Sequence, residues 1–104
     1  MASYRVEITE PAEDDLRTIV RYISAQLSAP VTALRMMGII EKSLGNLGEM
    51  PQRCPFVRDD RLATLGYRTL IIEHYAAFFS IDEIAKVVYV ERILYARRDW
   101  ASLL

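Results

Sequence analysis

The stretch GYRTLIIEHYAAFFSIDEIAKVVYVERILY, residues 66–95, decides the fold of this chain. It contains three runs rich in Tyr, Phe, Val and Ile, which are residue types favoured in β-strands. Only the short polar breaks Glu73-His74 and Asp82-Glu83 separate the runs, as is typical of tight turns between antiparallel strands. We therefore predict an antiparallel β-meander. Its three predicted strands are Tyr67–Ile72, Tyr75–Ile81 and Lys86–Tyr95.

Upstream of the meander, the apolar pattern predicts one strand and two helices. Tyr4, Val6 and Ile8 alternate with polar residues, which is the period of a strand with one buried face. Apolar residues then recur every three or four positions, which predicts an amphipathic helix capped by Thr9 and reaching about Leu27. A second helix should follow and pack on the first as an αα-hairpin. Its apolar stripe is Ala33, Met37, Ile40, Leu44 and Leu47.

The order β-α-α-β-β-β predicts an α+β fold of two layers, with the helical hairpin on one face of the sheet. The other face should be only partly covered, so that polar side chains there are candidates for function. The segment Pro51–Leu65 has two prolines and five charged residues, which predicts an irregular loop. The whole chain, residues 1–104, is the size of a single domain. Residues Arg98–Leu104 fit either a short helix or a tail.

Composition excludes several classes of function. Acidic residues number 14 and basic residues 13, so the net charge of -1 provides no overall attraction to nucleic acid. No apolar run approaches the roughly 20 residues that span a bilayer, and the N-terminal residues lack a secretory pattern, so we expect a cytoplasmic protein without membrane association. Because Cys54 and His74 are the only residues of their types, we expect neither a metal site nor a cofactor.

Arginine supplies 11 of the 13 basic residues, and its planar guanidinium favours bidentate recognition. Six arginines lie in or beside the predicted meander. Two interpretations stay open: they converge on one edge of the sheet, or they are separate surface residues paired with acidic neighbours. The arginines are Arg58, Arg61, Arg68, Arg92, Arg97 and Arg98. The acidic neighbours are Asp59, Asp60, Glu91 and Asp99.

Classical catalytic sets are poorly represented. Any Ser-His-Asp set would need His74, which falls in a predicted turn where exposure is expected. The thiol of Cys54 fits a semi-buried or incidental cysteine better than a nucleophile. Acid-base chemistry on RNA would need Asp59, Asp60 or Tyr95 as proton carriers, with arginines stabilising the phosphate charge. Aromatic residues at strand spacing are more typical of a core than of a base-stacking surface.

Two segments stand in a characteristic order: GYRTLII at Gly66–Ile72 and VERILYARRDW at residues 90–100. The first is similar to the Gly-Tyr-Arg-Leu-Val start of the second strand in the RelE/ParE superfamily of bacterial toxins, which belong to type II toxin-antitoxin modules. The second resembles the last strand of that superfamily and its arginine-bearing end. The resemblance extends over essentially the whole chain and implies the same α+β fold.

The resemblance implies different site residues for the two branches of the superfamily. RelE-like members are ribosome-dependent endoribonucleases that cleave mRNA. For that branch, Arg68 and Arg97 match two catalytic arginines, and Arg61 falls near a catalytic lysine. However, Asp59 occupies the place of a second lysine, and the C-terminal tyrosine of these enzymes has no match beside Trp100.

ParE-like members lack the full catalytic set and act on DNA gyrase. The ending Leu-Tyr-Ala-Arg-Arg-Asp, residues 94–99, looks more like this branch, and a net charge of -1 would not speed binding to ribosomal phosphates. The resemblance thus implies a growth-inhibiting, ParE-like toxin, with a RelE-like mRNA endoribonuclease and a toxin that has lost its toxicity as alternatives. The implied gyrase contacts are Arg97, Arg98, Asp99 and Trp100, followed by Leu103 and Leu104.

The same resemblance implies a cognate antitoxin as partner, in a toxin-antitoxin hetero-oligomer. Peptide capture along a sheet edge or in a helix groove needs only apolar anchors and main-chain pairing. We expect the antitoxin beside the αα-hairpin and the sheet, including the segment Pro51–Leu65. It should be acidic or amphipathic where it meets Arg61, Arg68 and Arg97.

Overall fold

The computed structural model describes residues 3–96. Four strands and two long helices follow one another in the predicted order, with two 3-10 turns and one additional short α-helix between the second long helix and the meander. The elements are β1 (Arg5–Ile8), α1 (Glu10–Arg21), α2 (Pro30–Gly45), α3 (Asp60–Thr64), β2 (Arg68–Ile72), β3 (Tyr75–Asp82) and β4 (Val87–Tyr95).

The four strands form one mixed sheet in the order β1-β4-β3-β2. Strands β2, β3 and β4 are antiparallel neighbours, which confirms the predicted meander. Strand β1 lies parallel to β4, with Ile8 opposite Val90. The two edges of the sheet are thus formed by β1 and β2, which are far apart in the sequence. The helical hairpin lies between these two strands in the chain.

Helix α1 begins where the sequence places its cap. The Thr9 hydroxyl accepts a hydrogen bond from the Ala12 amide at 3.4 Å, and Pro11 occupies the first turn. The predicted helix to Leu27 is continuous in space but changes type, because a π-helical turn spans Tyr22–Gln26 after α1. The Leu27 amide donates to the Tyr22 carbonyl at 3.3 Å, which is the i to i+5 bond that defines such a turn.

Helix α2 buries Met36 where the sequence pattern predicted Met37, which is only half-buried. The two residues lie on either side of the line through Ala33, Ile40 and Leu44. Ile39 packs against the core on the same side of the helix as Met36, so the buried face is rotated toward that side. The rest of the predicted stripe is buried as expected: Ala33, Ile40, Leu44 and Leu47.

The main core lies between the helical hairpin and the first face of the sheet. Phe79, Val88 and Val90 are fully buried there against α1 and α2. A smaller cluster covers part of the second face, where Leu62 of α3 packs near Phe78. The expectation of one fully covered and one partly covered face is therefore confirmed.

The prediction of an irregular loop over Pro51–Leu65 was wrong. This segment contains a 3-10 turn at Pro51–Arg53, an isolated antiparallel bridge between Phe56 and Arg68, and helix α3. The Asp59 carboxylate caps α3 by accepting from the Leu62 amide at 3.0 Å. Because Leu62 is an apolar anchor on the second face, even five residues suffice to hold a helix here.

Candidate functional site

Arg68, the first residue of β2, is held by the segment that flanks this strand, residues 51–57, which we call the flanking segment. Its Nη1 donates to the backbone carbonyls of Gln52 at 3.1 Å and Cys54 at 2.6 Å. Its guanidinium lies 3.9 Å from the centroid of the Phe56 ring, within cation-π distance. Arg68 therefore stabilises the local fold through Nη1 and through its contact with the Phe56 ring.

The flanking segment forms the start of a fifth strand on the outer edge of β2. The Val57 amide donates to the Tyr67 carbonyl at 3.1 Å, and the Thr69 amide donates to the Pro55 carbonyl at 3.0 Å. Proline has no backbone N–H to continue such pairing. From Cys54 backward, the chain turns into the 3-10 turn Pro51–Arg53, so the extra strand is short.

A polar network joins the flanking segment to Tyr4, just before β1, and to Glu83, in the turn between β3 and β4. Gln52 Nε2 donates to the Tyr4 hydroxyl at 2.7 Å and to Glu83 Oε2 at 3.2 Å, while the Tyr4 hydroxyl donates to Glu83 Oε1 at 2.6 Å. The hydrogen bond from Tyr4, and then that from Gln52, lower the pKa of the Glu83 carboxyl. Arg68 holds the same residue, Gln52, through its backbone. The network positions Arg68 and the turn before β4 together.

Arg61, the other arginine predicted for this region, lies on helix α3, which packs on the other face of the sheet from the one that Arg68 belongs to. Arg61 is exposed on α3, which covers the second face of the sheet through Leu62. Arg68 lies opposite Phe79, which belongs to the core on the first face. Arg61 thus belongs to a helix on the second face of the sheet, whereas the backbone position of Arg68 is opposite a residue of the first face. The third member of the predicted set, Arg97, lies outside the described residues, as do Arg98, Asp99 and Trp100, so their convergence stays a prediction.

Arg92 makes an ion pair that the sequence pattern does not reveal. Its Nε and Nη2 donate to Oδ2 and Oδ1 of Asp15 at 2.7 and 3.0 Å. The Ile93 amide donates to the same Asp15 Oδ2 at 2.9 Å. The hydrogen bond to Asp15 is the main cause of a raised pKa for the Arg92 guanidinium. The Asp15 carboxylate of α1 therefore binds the part of the β4 edge that β1 does not pair with.

The uncovered part of the second face carries carboxylates. Glu91 Oε2 accepts from the Ser80 hydroxyl at 3.0 Å, and Glu7 pairs with Arg5 Nε at 2.8 Å. Burial, and then the charge of Glu91, raise the pKa of Tyr67. This face has no excess of cations among residues 3–96. This face is therefore poorly suited to bind the phosphate backbone of a nucleic acid.

The two residues considered for nucleophilic catalysis occupy unsuitable places. Cys54 is only 4% exposed, and its burial raises the pKa of its thiol despite the opposing charges of Arg53 and Arg68. A protonated, buried thiol is a poor nucleophile. His74 is exposed in the turn between β2 and β3, as predicted.

Over residues 3–96 the structure contains no group of three potential metal ligands and no helix that could cross a bilayer.

A groove of about 520 Å³ opens between α1, the π-helical turn and the end of the sheet; we call it the hairpin groove. The π-helical turn has more residues per turn than an α-helix, so that residues five apart lie near one face. Tyr22 and Leu27 thus both line the groove, and both are about half exposed. Tyr75 and Tyr95 form its opposite wall, with ring centroids 6.0 Å apart. Burial is the main cause of a raised pKa for Tyr75.

A second groove, of about 480 Å³, lies on the second face beside the outer edge of β2; we call it the edge groove. Its floor includes Ala76 and Phe78, and its rim includes Ile71, which is 60% exposed. Arg58 of the segment before α3 is the charged residue in its lining. The residues that line the two grooves could not be identified from the sequence. Tyr22 and Leu27 fit an ordinary helical pattern, and Ile71 fits a buried strand.

Comparison with known proteins agrees with the fold. One solved structure, described as the chromosomal ParDE toxin-antitoxin system from P. aeruginosa, matches 93% of this chain and 100% of its own, with a TM-score of 0.76 and 21% identity. Another, the toxin-antitoxin complex RelBE2 from Mycobacterium tuberculosis, matches 89% of this chain and 98% of its own, with a TM-score of 0.63 and 20% identity. No curated protein sequence matches.

The sequence itself matches one protein family. Residues 6–100 match the family described as the ParE toxin of the type II toxin-antitoxin system parDE. The match extends from β1 through the whole sheet and past the last described strand. The chain therefore belongs to the ParE toxin family of type II toxin-antitoxin systems.

Proposed function

We propose that this chain inhibits bacterial growth by acting on DNA gyrase, in the manner implied for the ParE branch, and that a cognate antitoxin neutralises it. The observation that carries the proposal is the family match over residues 6–100, which names the ParE toxin. A cytoplasmic location follows from the proposed target, because gyrase acts on the chromosome.

The positions of the candidate catalytic groups favour this proposal over RNA cleavage. The guanidinium of Arg68 already donates from Nη1 to two backbone carbonyls and lies against the Phe56 ring, so it contributes to the local fold. The carboxylate of Asp59 caps α3 and is not poised as a general base. In the RelE-like mechanism, arginines that stabilise the phosphate charge must converge on that phosphate. Arg61 lies on α3, which packs on the second face through Leu62, whereas Arg68 is opposite Phe79 of the first face.

The RelE-like endoribonuclease remains the second candidate because one solved structure with this fold is the RelBE2 complex. In that case Arg61, Arg68 and Arg97 would act on the scissile phosphate. Any movement of Arg68 toward the phosphate that displaced Nη1 would break its contacts with Gln52 and Cys54. Loss of those hydrogen bonds would cost free energy before any phosphate was bound.

For the gyrase-directed mechanism, the proposed contacts are Arg97, Arg98, Asp99 and Trp100, which follow Ala96 in the sequence. Their mixture of guanidinium groups and an indole is typical of residues that carry much of the energy at protein interfaces. An antitoxin partner is supported by the descriptions of both solved structures, which are toxin-antitoxin systems. The hairpin groove and the edge groove are the apolar surfaces available to it.

Expression of the chain in a bacterial host tests the proposal. Gyrase inhibition should produce filamentous cells and a DNA-damage response while translation continues. Immediate arrest of translation with cleaved mRNA would contradict it and favour the endoribonuclease. Harmless expression of the folded protein would favour a toxin that has lost its toxicity.

A matched pair of double variants tests the site. Arg97→Ala with Arg98→Ala should abolish filamentation, because it removes both proposed guanidinium contacts. Arg17→Ala with Arg21→Ala removes two exposed arginines from α1 and should leave filamentation intact. Equal toxicity of the two double variants would contradict the assignment of the site to the C-terminal arginines.

A further inference from the structure

The described part of the chain ends at the wall of the edge groove. Strand β4 ends at Tyr95, and the next amide, that of Ala96, donates to the His74 carbonyl at 2.9 Å. Ala96 lines the edge groove and packs against the cluster on the second face that contains Phe78. Consecutive Cα atoms are about 3.8 Å apart. The segment 97–104 therefore starts beside this groove and needs no linker to reach it.

The edge groove presents an apolar surface that a large side chain would cover. Ala76 and Phe78 form its floor, and Ile71 on its rim is 60% exposed. Covering an exposed aliphatic side chain with another apolar group removes its surface from water, which is favourable. The volume of about 480 Å³ lies within the range of roughly 300–1,000 Å³ that is typical of small-ligand pockets. An indole ring therefore fits in the groove.

The segment 97–104 carries one apolar stripe in its sequence. Counted from Ala96, apolar side chains follow at four, seven and eight positions, which is the spacing of one helix face. They are Trp100, Leu103 and Leu104. Arg98 falls on the opposite side of the same pattern, about 200° from Ala96 at about 100° per residue. The stripe thus starts at a residue that already packs on the second face.

We propose that the segment 97–104 docks in the edge groove of its own chain, with the indole of Trp100 against Ile71 and Phe78. Leu103 and Leu104 extend this contact along the second face. They lie beyond the family match, which ends at residue 100, so this part of the contact is a property of this chain.

The covalent connection favours this occupant over a second copy of the chain or a separate protein. A segment attached beside the groove is present at a high effective concentration, whereas a free partner must also lose translational freedom on binding. Docking of the segment leaves the hairpin groove as the apolar surface for a partner protein.

Docking gives the proposed gyrase contacts two different roles. Trp100 anchors the segment, whereas Arg98, on the side opposite the apolar stripe, stays exposed for a partner. Trp100 is thus a positioning residue. This division of roles rests on the proposed function, because it names gyrase as the partner of Arg98. The docking itself does not depend on that function, since it is a contact within the chain.

Tryptophan fluorescence tests the docking directly, because Trp100 is the only tryptophan of the chain. In the folded protein its emission should lie at a shorter wavelength than in urea, and acrylamide should quench it less. Emission typical of a water-exposed indole in the folded protein would overturn the proposal. A blue shift that grows with protein concentration would show docking on a second copy and would also overturn it.

A matched pair of variants tests the edge groove as the docking site. Ile71→Lys places a charge on its rim, and should move the emission to a longer wavelength and increase quenching by acrylamide. Ile84→Lys makes the same change at a residue that is 97% exposed in the turn between β3 and β4, and should leave both unchanged. Equal spectra of the two variants would overturn this location.

A double-mutant cycle of Trp100→Ala with Ile71→Ala tests the same contact by urea unfolding. If the two side chains touch, the effect of both changes on the unfolding equilibrium constant should differ from the product of the single effects by about threefold or more. Trp100→Ala with Ile84→Ala is the control, and here the effects should multiply. Multiplying effects in the first cycle would overturn the contact.

Gyrase inhibition by the same variants separates the docking from the proposed function. Trp100→Phe keeps an aromatic anchor and should retain inhibition, whereas Trp100→Ala should weaken it by about 10-fold or more, because the arginines are no longer held in place. Full inhibition by Trp100→Ala would overturn the positioning role. A buried Trp100 in a chain that does not inhibit gyrase would overturn the proposed function and support the docking.

Discussion

Asp15 of α1 accepts three hydrogen bonds from β4: two from the guanidinium of Arg92 and one from the amide of Ile93. The register between β3 and β4 shifts beside Phe78, where Glu91 has no partner residue in β3. Strand β1 ends at Ile8, so the edge of β4 beyond Val90 would otherwise present an unpaired amide. Asp15 replaces the missing strand with a carboxylate, and this links the first helix to the last strand.

Removal of this carboxylate should destabilise the domain. Asp15→Ala removes an acceptor of two guanidinium bonds from the half-buried Arg92 and the acceptor of the Ile93 amide, so the free energy of unfolding should fall by about 2–4 kcal/mol. Urea unfolding measures the change. Asp14→Ala, which removes an exposed carboxylate that pairs with Arg17 on the helix surface, should change the value by less than about 1 kcal/mol. Similar losses in both variants would mean that the link between α1 and β4 contributes little.

Arg68 should prove to be important for stability. Arg68→Ala removes two hydrogen bonds and a cation-π contact from the flanking segment, so unfolding should become easier by about 1–3 kcal/mol. Arg58→Ala, at an exposed position in the edge groove, is the control and should be nearly neutral for stability. A stable Arg68→Ala variant that loses only toxicity would instead favour a role in phosphate binding.

Two glycines should respond in opposite directions to alanine. A Cβ at Gly48 would lie 2.7 Å from the Tyr4 carbonyl oxygen, so Gly48→Ala must displace the start of the sheet and should cost about 1–3 kcal/mol. Gly38 lies inside α2 with open space around its Cβ position. Gly38→Ala should therefore stabilise the protein by about 0.5–1 kcal/mol. Thermal unfolding of both variants checks the signs, and destabilisation by Gly38→Ala would contradict this picture of α2.

The carboxyl of Glu83 should make stability depend on pH. Its pKa is lowered in the folded state by the hydrogen bonds from Tyr4 and Gln52. The stabilising effect is thus present above the ordinary glutamate value of 4.5 and is lost as the pH falls through the lower folded value. Unfolding of the wild type and of Glu83→Gln, measured from neutral to acidic pH, should show a difference that disappears in acid. A difference that is constant with pH would exclude this linkage.

The strands were predictable because their evidence is local. Alternation in β1 and the turn residues at Glu73 and His74 identify elements whose side chains and breaks are close together in the sequence. Contacts between side chains that are far apart in the sequence were not predictable. Arg92 and Asp15 are 77 residues apart, and many carboxylates could have filled the same role. The cap at Asp59 was visible as a residue type, but its helix depends on Leu62 reaching the second face.

The candidate site was less predictable than the fold. Arg68 was correctly placed at the start of β2, yet no sequence pattern shows that its guanidinium binds the backbone of Gln52 and Cys54. The π-helical turn at Tyr22–Gln26 has no distinctive composition either, although it shapes one wall of the hairpin groove. Both features depend on three-dimensional packing that chain periodicity does not encode.

The most direct test of the proposed gyrase-directed toxicity is a DNA cleavage assay with purified gyrase, supercoiled plasmid and the purified chain. Linear DNA covalently attached to gyrase should accumulate with increasing toxin, and the antitoxin should suppress it. Unchanged supercoiling and cleavage, at concentrations where the same protein preparation arrests a cell-free translation reaction, would contradict the account.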